Sequence, residues 1–319
     1  MGRRRPGDGR REQSIATVFI GTSPFAVTVL ESLAGTPHRP SLVITRPDRP
    51  RGRGRRPAAP PVGVAAAEHG IDLLQPERLG DVADEVASAQ PAIVVVCAYG
   101  ALVREPLVST YEILNVHPSL LPRWRGAAPI ERAIIAGDTT TGVSIMRLTA
   151  GLDSGPICRQ EAEPIADDDT YGTLSERLAR LSSRLLIGAL DGPRSYVEQP
   201  DAGVTYAEKI TPADRTLDPE TTPTELARRV RALHPHIGAR IDVPSLAGGL
   251  GVQEARVFAG DGGSGAAAGG AGGPPAGGLG VKDGRLLFGA SGGALELLRV
   301  QPAGRRPMSA SDYLRGHAV

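Results

Sequence analysis

The chain has 319 residues, of which 40% are hydrophobic and 22% are charged, and its formal net charge is +1. A single core rarely grows beyond about 250–300 residues, so this length predicts a globular protein of two domains. The balanced charge excludes a polycation, and no apolar run reaches the roughly 18 residues that a membrane span needs. The two cysteines, Cys97 and Cys158, have neither metal-ligand nor CxxC spacing, which predicts a reducing cytoplasm without a zinc site or disulfide framework.

The first two thirds of the chain alternate strand and helix patterns. Apolar or β-branched runs predict strands at Ile15–Ile20, Leu42–Thr45, Ile71–Leu74, Ile93–Cys97, Ile113–Val116 and Gly142–Leu148. Helical patterns run from Pro24, after Ser23 as the expected N-cap, to Leu33, and recur at Pro61–His69, Pro129–Ala136 and Tyr171–Leu190. The alternation predicts a doubly wound α/β domain (Rossmann-like) with a mostly parallel sheet over residues 15–200, after a disordered basic tail over residues 1–14.

The last third changes character after a Pro-, Gly- and Asp-rich linker at Asp191–Ala207. The capping box Thr222-Pro223-Thr224-Glu225 predicts a helix that continues to Leu233. Strand patterns follow at Ala239–Val243, Ala255–Phe258, Leu279–Val281, Leu286–Phe288 and Leu295–Val300, with a hairpin turn predicted at Asp283-Gly284. These signals predict a second, smaller domain over residues 201–319, an OB-like β-barrel with one helix, in which the Gly-rich segment 259–278 is a mobile loop.

An amide, an imidazole and a carboxylate stand out in the first domain. Asn115 and His117 lie two residues apart at the end of a predicted strand, so period 2 places both on one face while Val116 points into the core. Two such donors can hold a carbonyl oxygen that is becoming negative. Asp153, inside Gly151–Gly155, is the candidate to orient the imidazole or to take a proton, although the same residues are also ordinary turn chemistry.

Six arginines fall within one short segment and are opposed only by Asp48: Arg46, Arg49, Arg51, Arg53, Arg55 and Arg56. Proline and glycine interleave them, which predicts an extended or irregular segment rather than a helix face. Guanidinium groups match the geometry of phosphate oxygens. The segment is therefore either a nucleic-acid contact or a solvated loop.

Together these motifs resemble those of the folate-dependent formyltransferases, from about Val18 to Leu314. The resemblance is carried by Phe19–Ala26, Arg46–Arg55, Ala98–Gly100, Asn115–Gly126, Thr141–Met146, Gly151–Gly155, Thr205–Ile210 and Gln301–Ser309. The basic loop combined with this carboxyl-terminal domain is similar to the members that act on an aminoacyl-tRNA. One departure is Leu233–Ile237, which reads Leu-His-Pro-His-Ile where many members have Asn-Pro-Trp-Pro.

The resemblance implies that a formyl group moves from 10-formyltetrahydrofolate to the α-amino group of methionine on initiator Met-tRNA, without a metal. It implies catalytic roles for Asn115, His117 and Asp153. Tetrahydrofolate contacts are implied for Tyr99, Gly100, Ser119, Leu120, Leu121 and Pro122, with Ser119 left open between folate contact and loop scaffold. Contacts to tRNA are implied for Arg49, Arg51, Arg53, Arg55, Arg56, Arg305 and Arg306. A cytoplasmic monomer without membrane attachment is expected.

Three other functions compete with this interpretation. A nicotinamide dehydrogenase is disfavoured because Gly21-Thr22-Ser23-Pro24 holds one glycine where the dinucleotide fingerprint needs three. A non-catalytic RNA-binding protein would leave Asn115, His117 and Asp153 without a purpose. A formyltransferase or hydrolase of the same family that acts on a small amine, a sugar nucleotide or water is the closest alternative.

Overall fold

The computed structural model describes residues 14–51, 56–243, 246, 248–259, 273–317 and 319. The predicted tail 1–14 therefore lies outside the described residues except for Ser14, as does most of the predicted loop 259–278. The chain divides into two compact units, one formed by residues up to Pro122 with Gly142–Glu161 and Leu178–Gly203, the other by Arg123–Thr141, Ala162–Arg177 and Val204–Val319. Within the described ranges, no helix combines the length and apolarity required to cross a membrane.

The strands are, in chain order, β1 (Thr17–Gly21), β2 (Pro40–Ile44), β3 (Arg49–Arg51), β4 (Arg56–Ala58), β5 (Asp72–Leu74), β6 (Ile93–Cys97), β7 (Ile113–His117), β8 (Arg125–Gly126), β9 (Thr140–Arg147), β10 (Ile157–Pro164), β11 (Tyr206–Ala207), β12 (Ala239–Ile241), β13 (Leu250–Val257), β14 (Leu279–Lys282), β15 (Arg285–Ala290), β16 (Gly293–Pro302) and β17 (Met308–Ser309). The helices are α1 (Pro24–Ala34), α2 (Pro61–Glu68), α3 (Ala83–Ser88), α4 (Leu107–Thr110), α5 (Pro129–Ala136), α6 (Tyr171–Asp191), α7 (Pro212–Arg215), α8 (Pro223–Leu233) and α9 (Ala310–Gly316), with a 3-10 helix at Leu79–Val82.

The first unit is built on a seven-stranded sheet in the order β10-β9-β7-β6-β1-β2-β5. β1 lies parallel to β2 and β6, and the parallel arrangement extends to β5 on one side and β7 on the other. β9 runs antiparallel to β7. The predicted mostly parallel sheet is confirmed. Because the chain moves outward from β1 in opposite directions, the strand order reverses between β1 and β6, where ligand crevices form in such sheets.

The central strands are buried on both faces. Val18 and Ile20 of β1 pack with Val94 of β6 in one apolar cluster. Phe19, between the two β1 residues, points to the opposite face and is also fully buried. This double burial explains why the sequence shows continuous apolar runs here rather than alternation.

Strand β10 was missed by the sequence prediction because it reads as polar. Cys158 is its one buried residue, and the remaining positions are exposed or half-buried. An edge strand needs an apolar side chain only on its inner face, and charged residues on the outer face protect it from pairing with another chain.

The predicted linker at Asp191–Ala207 was wrong in two places. Val197 pairs with Ile157 through two backbone hydrogen bonds, and Tyr206–Ala207 forms β11, which lies parallel to β8. Isolated bridges of this kind are made by the backbone and leave no side-chain periodicity to detect.

The start of α1 has the predicted position but lacks the expected capping hydrogen bond. Ser23 is the N-cap and Pro24 the first helical residue, but the Ser23 hydroxyl makes no capping bond, and its buried Oγ has no hydrogen-bond partner among the described residues. The helix begins where the sequence predicts, since Pro24 sets the required φ without needing a hydrogen bond to its nitrogen.

The second unit contains an antiparallel sheet in the order β12-β13-β16-β15-β14, with β17 added beside β16. The capping box at Thr222 and Glu225 is confirmed, and Leu226, Val230 and Leu233 of α8 pack against the sheet. The predicted hairpin is also confirmed, with positive φ at both Asp283 and Gly284. β13 begins at Leu250, five residues before the predicted Ala255, because Gln253 and Glu254 concealed its pattern.

The described end of the Gly-rich segment is attached to the sheet. Ala276 forms a bridge with Gly289, and the Gly277 N–H donates to the Gly289 carbonyl at 3.0 Å. The predicted mobility of residues 260–272 lies outside the described residues.

Candidate active site

Asn115 and His117 lie at the carboxyl end of β7, in the middle of the sheet. Both are buried, with exposed fractions of 9% and 4%. β7 pairs with β6 on one side and with β9 on the other, which opposes His117 to Ser144. Since Val116 between them is also buried, at 2%, the alternation of the strand places the amide and the imidazole on one face, as the sequence predicts.

Asp153 reaches the same face from the turn that connects β9 with β10. Its Oδ1 accepts a hydrogen bond from Asn115 Nδ2 at 3.1 Å. Its Oδ2 lies 3.6 Å from His117 Nδ1, within ion-pair distance. The structure therefore brings together three side chains that the sequence separates by up to 38 residues.

The backbone of the Asp153 turn is unusual. Asp153 has a φ of +43°, in the left-handed region that costs a residue with a side chain about 1–2 kcal/mol. Gly155 is approached so closely that a Cβ built on it would lie 1.9 Å from the Arg147 carbonyl oxygen. Only glycine can occupy this position without moving one of the two backbones.

The segment implied to contact folate follows β7 directly. Ser119 and Leu121 are buried, whereas Leu120 and Pro122 are half-buried. The Ser144 hydroxyl donates to the Ser119 carbonyl at 2.7 Å and accepts from the Leu121 N–H at 3.1 Å. The backbone of this segment is thus fixed to β9, which supports the scaffold interpretation of Ser119.

A crevice of about 270 Å³ lies at the carboxyl ends of β1, β2 and β6. It is lined by Thr22, Arg46, Pro47, Arg49, Ala58, Pro60, Tyr99 and Gly100. Tyr99 and Gly100 were implied to contact folate and Arg49 to contact tRNA, so residues assigned to two ligands meet in one crevice. Burial raises the pKa of Tyr99, and the nearby Arg46 guanidinium lowers it by a smaller amount.

The predicted arginines are only partly described. Arg49 begins β3, and Arg51 pairs in backbone register with Arg56 in β4, so the described ends of the segment are extended as predicted. Arg53 and Arg55 lie outside the described residues. Arg305 and Arg306 are exposed on the loop between β16 and β17 of the second unit.

Two residues beside the site were not singled out in the sequence. Ser144 lies within Thr141–Met146, but nothing in that segment distinguishes its hydroxyl from its neighbours. Gln199 lies in the segment predicted to be a linker, and its amide donates to the carbonyls of Asp153 and Gly155. A single polar residue that binds backbone carbonyls has no signature in one sequence.

Among the described residues, no three His, Cys, Asp or Glu side chains come together as a group that could hold a metal ion.

The chain is similar to known proteins over nearly its whole length. The family model "Formyl transferase" matches residues 13–190, and "Formyl transferase, C-terminal domain" matches residues 209–318. A protein of Halorhodospira halophila named methionyl-tRNA formyltransferase is 45% identical over 309 residues, which are 95% of this chain and 96% of that protein. A protein of the same name from Methylococcus capsulatus is 41% identical, over 95% of this chain and 97% of its own length.

Among solved structures, HypX from Aquifex aeolicus in complex with tetrahydrofolic acid superposes with a TM-score of 0.65 at 15% identity. The superposition covers 95% of this chain and 47% of HypX, so this chain spans about half of that protein. At this identity the likeness concerns the fold alone. Since the first family model covers more than half of the sequence and relatives align over nearly all of it, the chain belongs to the formyl transferase family.

Proposed function

We propose that this chain transfers the formyl group of 10-formyltetrahydrofolate to the α-amino group of methionine on initiator Met-tRNA. The observation that carries the proposal is the meeting of Asn115, His117 and Asp153 at the carboxyl edge of the sheet, in a chain whose full-length relatives are named methionyl-tRNA formyltransferase. No metal or covalent enzyme intermediate is needed for this chemistry.

The reaction is acyl transfer between two nitrogen atoms. The methionine amine attacks the formyl carbon, a tetrahedral oxyanion forms, and the bond from carbon to the folate nitrogen then breaks. We propose that Asn115 Nδ2 and the His117 ring donate to the oxyanion, which is where preorganised donors lower a barrier most. Asp153 orients the imidazole or receives the amine's proton, and the leaving folate nitrogen takes up a proton.

We propose that the crevice binds the acceptor end of tRNA. β1 lies two strands from β7, a distance of about 10 Å at the usual strand spacing. About eight bonds separate the methionine amine from the 5′ phosphate of the terminal nucleotide, and at about 1.2 Å per bond they span the same distance. Arg46 Nε, in the crevice, is buried and has no acceptor among the described residues.

The second unit supports a tRNA-binding role of its own. We infer that its antiparallel strands close into an OB-like barrel, since β13 is irregular between Val252 and Ala255 and β16 pairs with three strands. The exposed Arg305 and Arg306 are the contacts we propose there. We further propose that the protein acts as a cytoplasmic monomer, as expected of a chain that serves translation.

The decisive experiment compares acceptors. The purified chain is incubated with 10-formyltetrahydrofolate and either charged initiator tRNA, a methionine amide, or an amino-sugar nucleotide, and the formylated product is identified by mass. Formyl transfer to Met-tRNA supports the proposal. Transfer only to the small amines, or release of formate without any acceptor, would contradict it and favour another activity of the same family.

The proposed contact between Arg46 and tRNA is tested separately with the variant Arg46→Gln. This variant is expected to raise the KM for Met-tRNA by about ten-fold, as charge-assisted hydrogen bonds contribute about 1.5–3 kcal/mol, and to leave the KM for the folate donor unchanged. Arg180→Gln is the matched control, because Arg180 is an exposed arginine on α6 without a hydrogen bond among the described residues. Equal changes in both KM values would remove Arg46 from the tRNA site.

A further inference from the structure

Gln199 holds the turn that carries Asp153. Its Nε2 lies 2.8 Å from the Asp153 carbonyl oxygen and 2.8 Å from the Gly155 carbonyl oxygen, so one amide group donates to two carbonyls of the turn. The same nitrogen lies 3.9 Å from Met146 Sδ, which places the amide against β9.

The turn requires such support because its backbone is strained where the carboxylate emerges. Asp153 is held at a φ of +43°. Relaxation to an ordinary negative φ would swing the carboxylate away from Asn115 Nδ2, at 3.1 Å, and from His117 Nδ1, at 3.6 Å. Strained residues of this kind persist only where their surroundings determine them.

Gln199 is itself anchored to the sheet. Two residues before it, Val197 exchanges backbone hydrogen bonds of 2.8 and 2.9 Å with Ile157. One residue earlier, Tyr196 donates to the Glu112 carboxylate, which also accepts from Arg194 at 3.0 Å. The segment is therefore fixed to β10 and to the start of β7 rather than passing over the surface.

The ion pair between Glu112 and Arg194 strengthens the attachment of the Gln199 segment to the sheet. Burial acts to raise the pKa of Glu112, but the hydrogen bonds from Tyr196 and Arg194 outweigh it and hold the pKa below its usual value. Burial and the Glu112 carboxylate raise the pKa of Tyr196. Glu112 is thus charged, and Tyr196 is a neutral donor, throughout the neutral range.

We propose that Gln199 is a positioning residue for formyl transfer, which fixes the Asp153 carboxylate against Asn115 and His117. The inference rests on the proposed function. The amide is required as a double donor: a carboxylate at this position would face two carbonyl oxygens, and an apolar side chain would leave both carbonyls without this donor.

The test uses Gln199→Glu, which keeps the size of the side chain but cannot donate, together with Gln199→Leu. Both variants are expected to lower kcat by about ten- to a hundred-fold, since displacement of a reacting group by 1 Å can cost that much, while both KM values change less than three-fold. The control is Gln253→Leu in the second unit, whose amide makes one long contact of 3.5 Å with Gln301 and whose kcat is expected to stay at the wild-type value.

A double variant separates positioning from a general loss of structure. If Gln199 acts through Asp153, then adding Gln199→Leu to Asp153→Ala lowers kcat no further. Multiplicative losses in the double variant, or a Gln199→Glu enzyme with wild-type kcat, would overturn the proposal.

Hydrogen exchange gives a readout that does not depend on activity. Backbone amides of residues 151–155 are expected to exchange at least ten-fold faster in Gln199→Leu than in the wild type, with the rest of the first unit unchanged. Unaltered exchange in this turn would reject the positioning role. A wild-type chain that fails to formylate Met-tRNA but shows the exchange difference would instead reject the proposed function alone.

Discussion

The Asn115 amide has two N–H donors, and one of them is used among the described residues. One N–H of its amide reaches Asp153 Oδ1, and the other has no acceptor among the described residues. A buried donor of this kind at the end of a central strand is available for an oxygen of the substrate. The amide therefore links the proposed base to the proposed oxyanion.

Replacing Asn115 tests this at the scale of one residue. Asn115→Ala is expected to lower kcat by about a hundred- to a thousand-fold, the usual effect of losing an oxyanion donor. Asn115→Asp, which keeps the shape but loses the donors and sets a second carboxylate beside Asp153, is expected to be at least as slow. Pre-steady-state quench measurements give the rates. Retention of more than a tenth of the wild-type rate in either variant would exclude the role, provided that thermal unfolding shows a folded protein.

The sequence predicted the three site residues but not the residue that holds the turn of Asp153. Asn115 and His117 are two apart on one strand, so local periodicity was sufficient to place them on one face. Asp153 was a candidate as the acidic residue of Gly151–Gly155, and the family resemblance supported it, because a separation of 36 residues from His117 contains no local geometry. Gln199 could not be found, since its partners are backbone carbonyls whose positions depend on the completed fold.

Among the elements, β9 holds the loop that follows β7. The Ser144 hydroxyl bridges the Ser119 carbonyl and the Leu121 N–H, and it also accepts from Gln160 Nε2 at 2.8 Å. Gln160 Nε2 lies 3.0 Å from the Leu121 carbonyl as well. Strands β9 and β10 therefore fix the backbone of the segment proposed to contact folate, through Ser144 and Gln160.

Ser144→Ala is expected to loosen that segment. The Leu121 N–H would lose its partner in a buried place, which typically costs about 1–3 kcal/mol of stability. The KM for the folate donor is expected to rise more than the KM for Met-tRNA. Steady-state kinetics and urea unfolding measure both effects. Ser88→Ala is the control, because the Ser88 hydroxyl is exposed on α3 and its loss is expected to change stability by less than about 0.5 kcal/mol. Equal KM changes for the two substrates would contradict the assignment of the loop.

The connection between β9 and β10 depends on close backbone approach. Gly155→Ala would force a Cβ to within 1.9 Å of the Arg147 carbonyl oxygen, so one of the two backbones must move. We expect a lower melting temperature and a lower kcat from the same substitution, because the displaced turn carries Asp153. Gly188→Ala provides a matched comparison within α6. Apart from the backbone of the helix itself, no atom of the described residues lies within 4 Å of its Cβ position, and the substitution is expected to stabilise the helix by about 0.5–1 kcal/mol. A Gly155→Ala enzyme as stable and active as Gly188→Ala would contradict this account.

The elements that could be predicted are those whose own sequence carries an apolar pattern. Apolar residues at helical spacing predict α6 and α8, and short apolar runs predict the buried strands β6 and β7. β10 and the first half of β13 have sequences without an apolar strand pattern, since one face of each is exposed. They form strands only because they pair with neighbouring strands in the completed fold. Backbone pairing of Val197 and Ala276 likewise arises only once their partners are in place.

The stability of the whole fold at low pH depends on carboxylates that are paired with cations in the folded state. Asp169 is 4% exposed and accepts hydrogen bonds from Arg177, from the Thr173 hydroxyl and from the Ala166 N–H. The Arg177 guanidinium is the largest cause that lowers the pKa of Asp169, to about 2 from its usual 3.8, while burial opposes the shift. A pKa that is lower in the folded state means that the charged carboxylate stabilises the fold above the unfolded pKa. This stabilisation is lost as the pH falls from about 4 towards 2.

Asp169→Asn should therefore remove a pH-dependent part of the stability. At pH 7 the free energy of unfolding is expected to fall by about 2 kcal/mol, from the size of the pKa shift. Below pH 2 the two proteins should converge, because the wild-type carboxyl is then protonated as well. Urea unfolding at pH 7, 4, 3 and 2 measures the difference. Asp201→Asn, at an exposed carboxylate without a hydrogen bond among the described residues, is expected to match the wild type throughout. If Asp169→Asn instead stayed equally far below the wild type at every pH, the loss would come from packing, and the ion pair with Arg177 would not be the source of acid sensitivity.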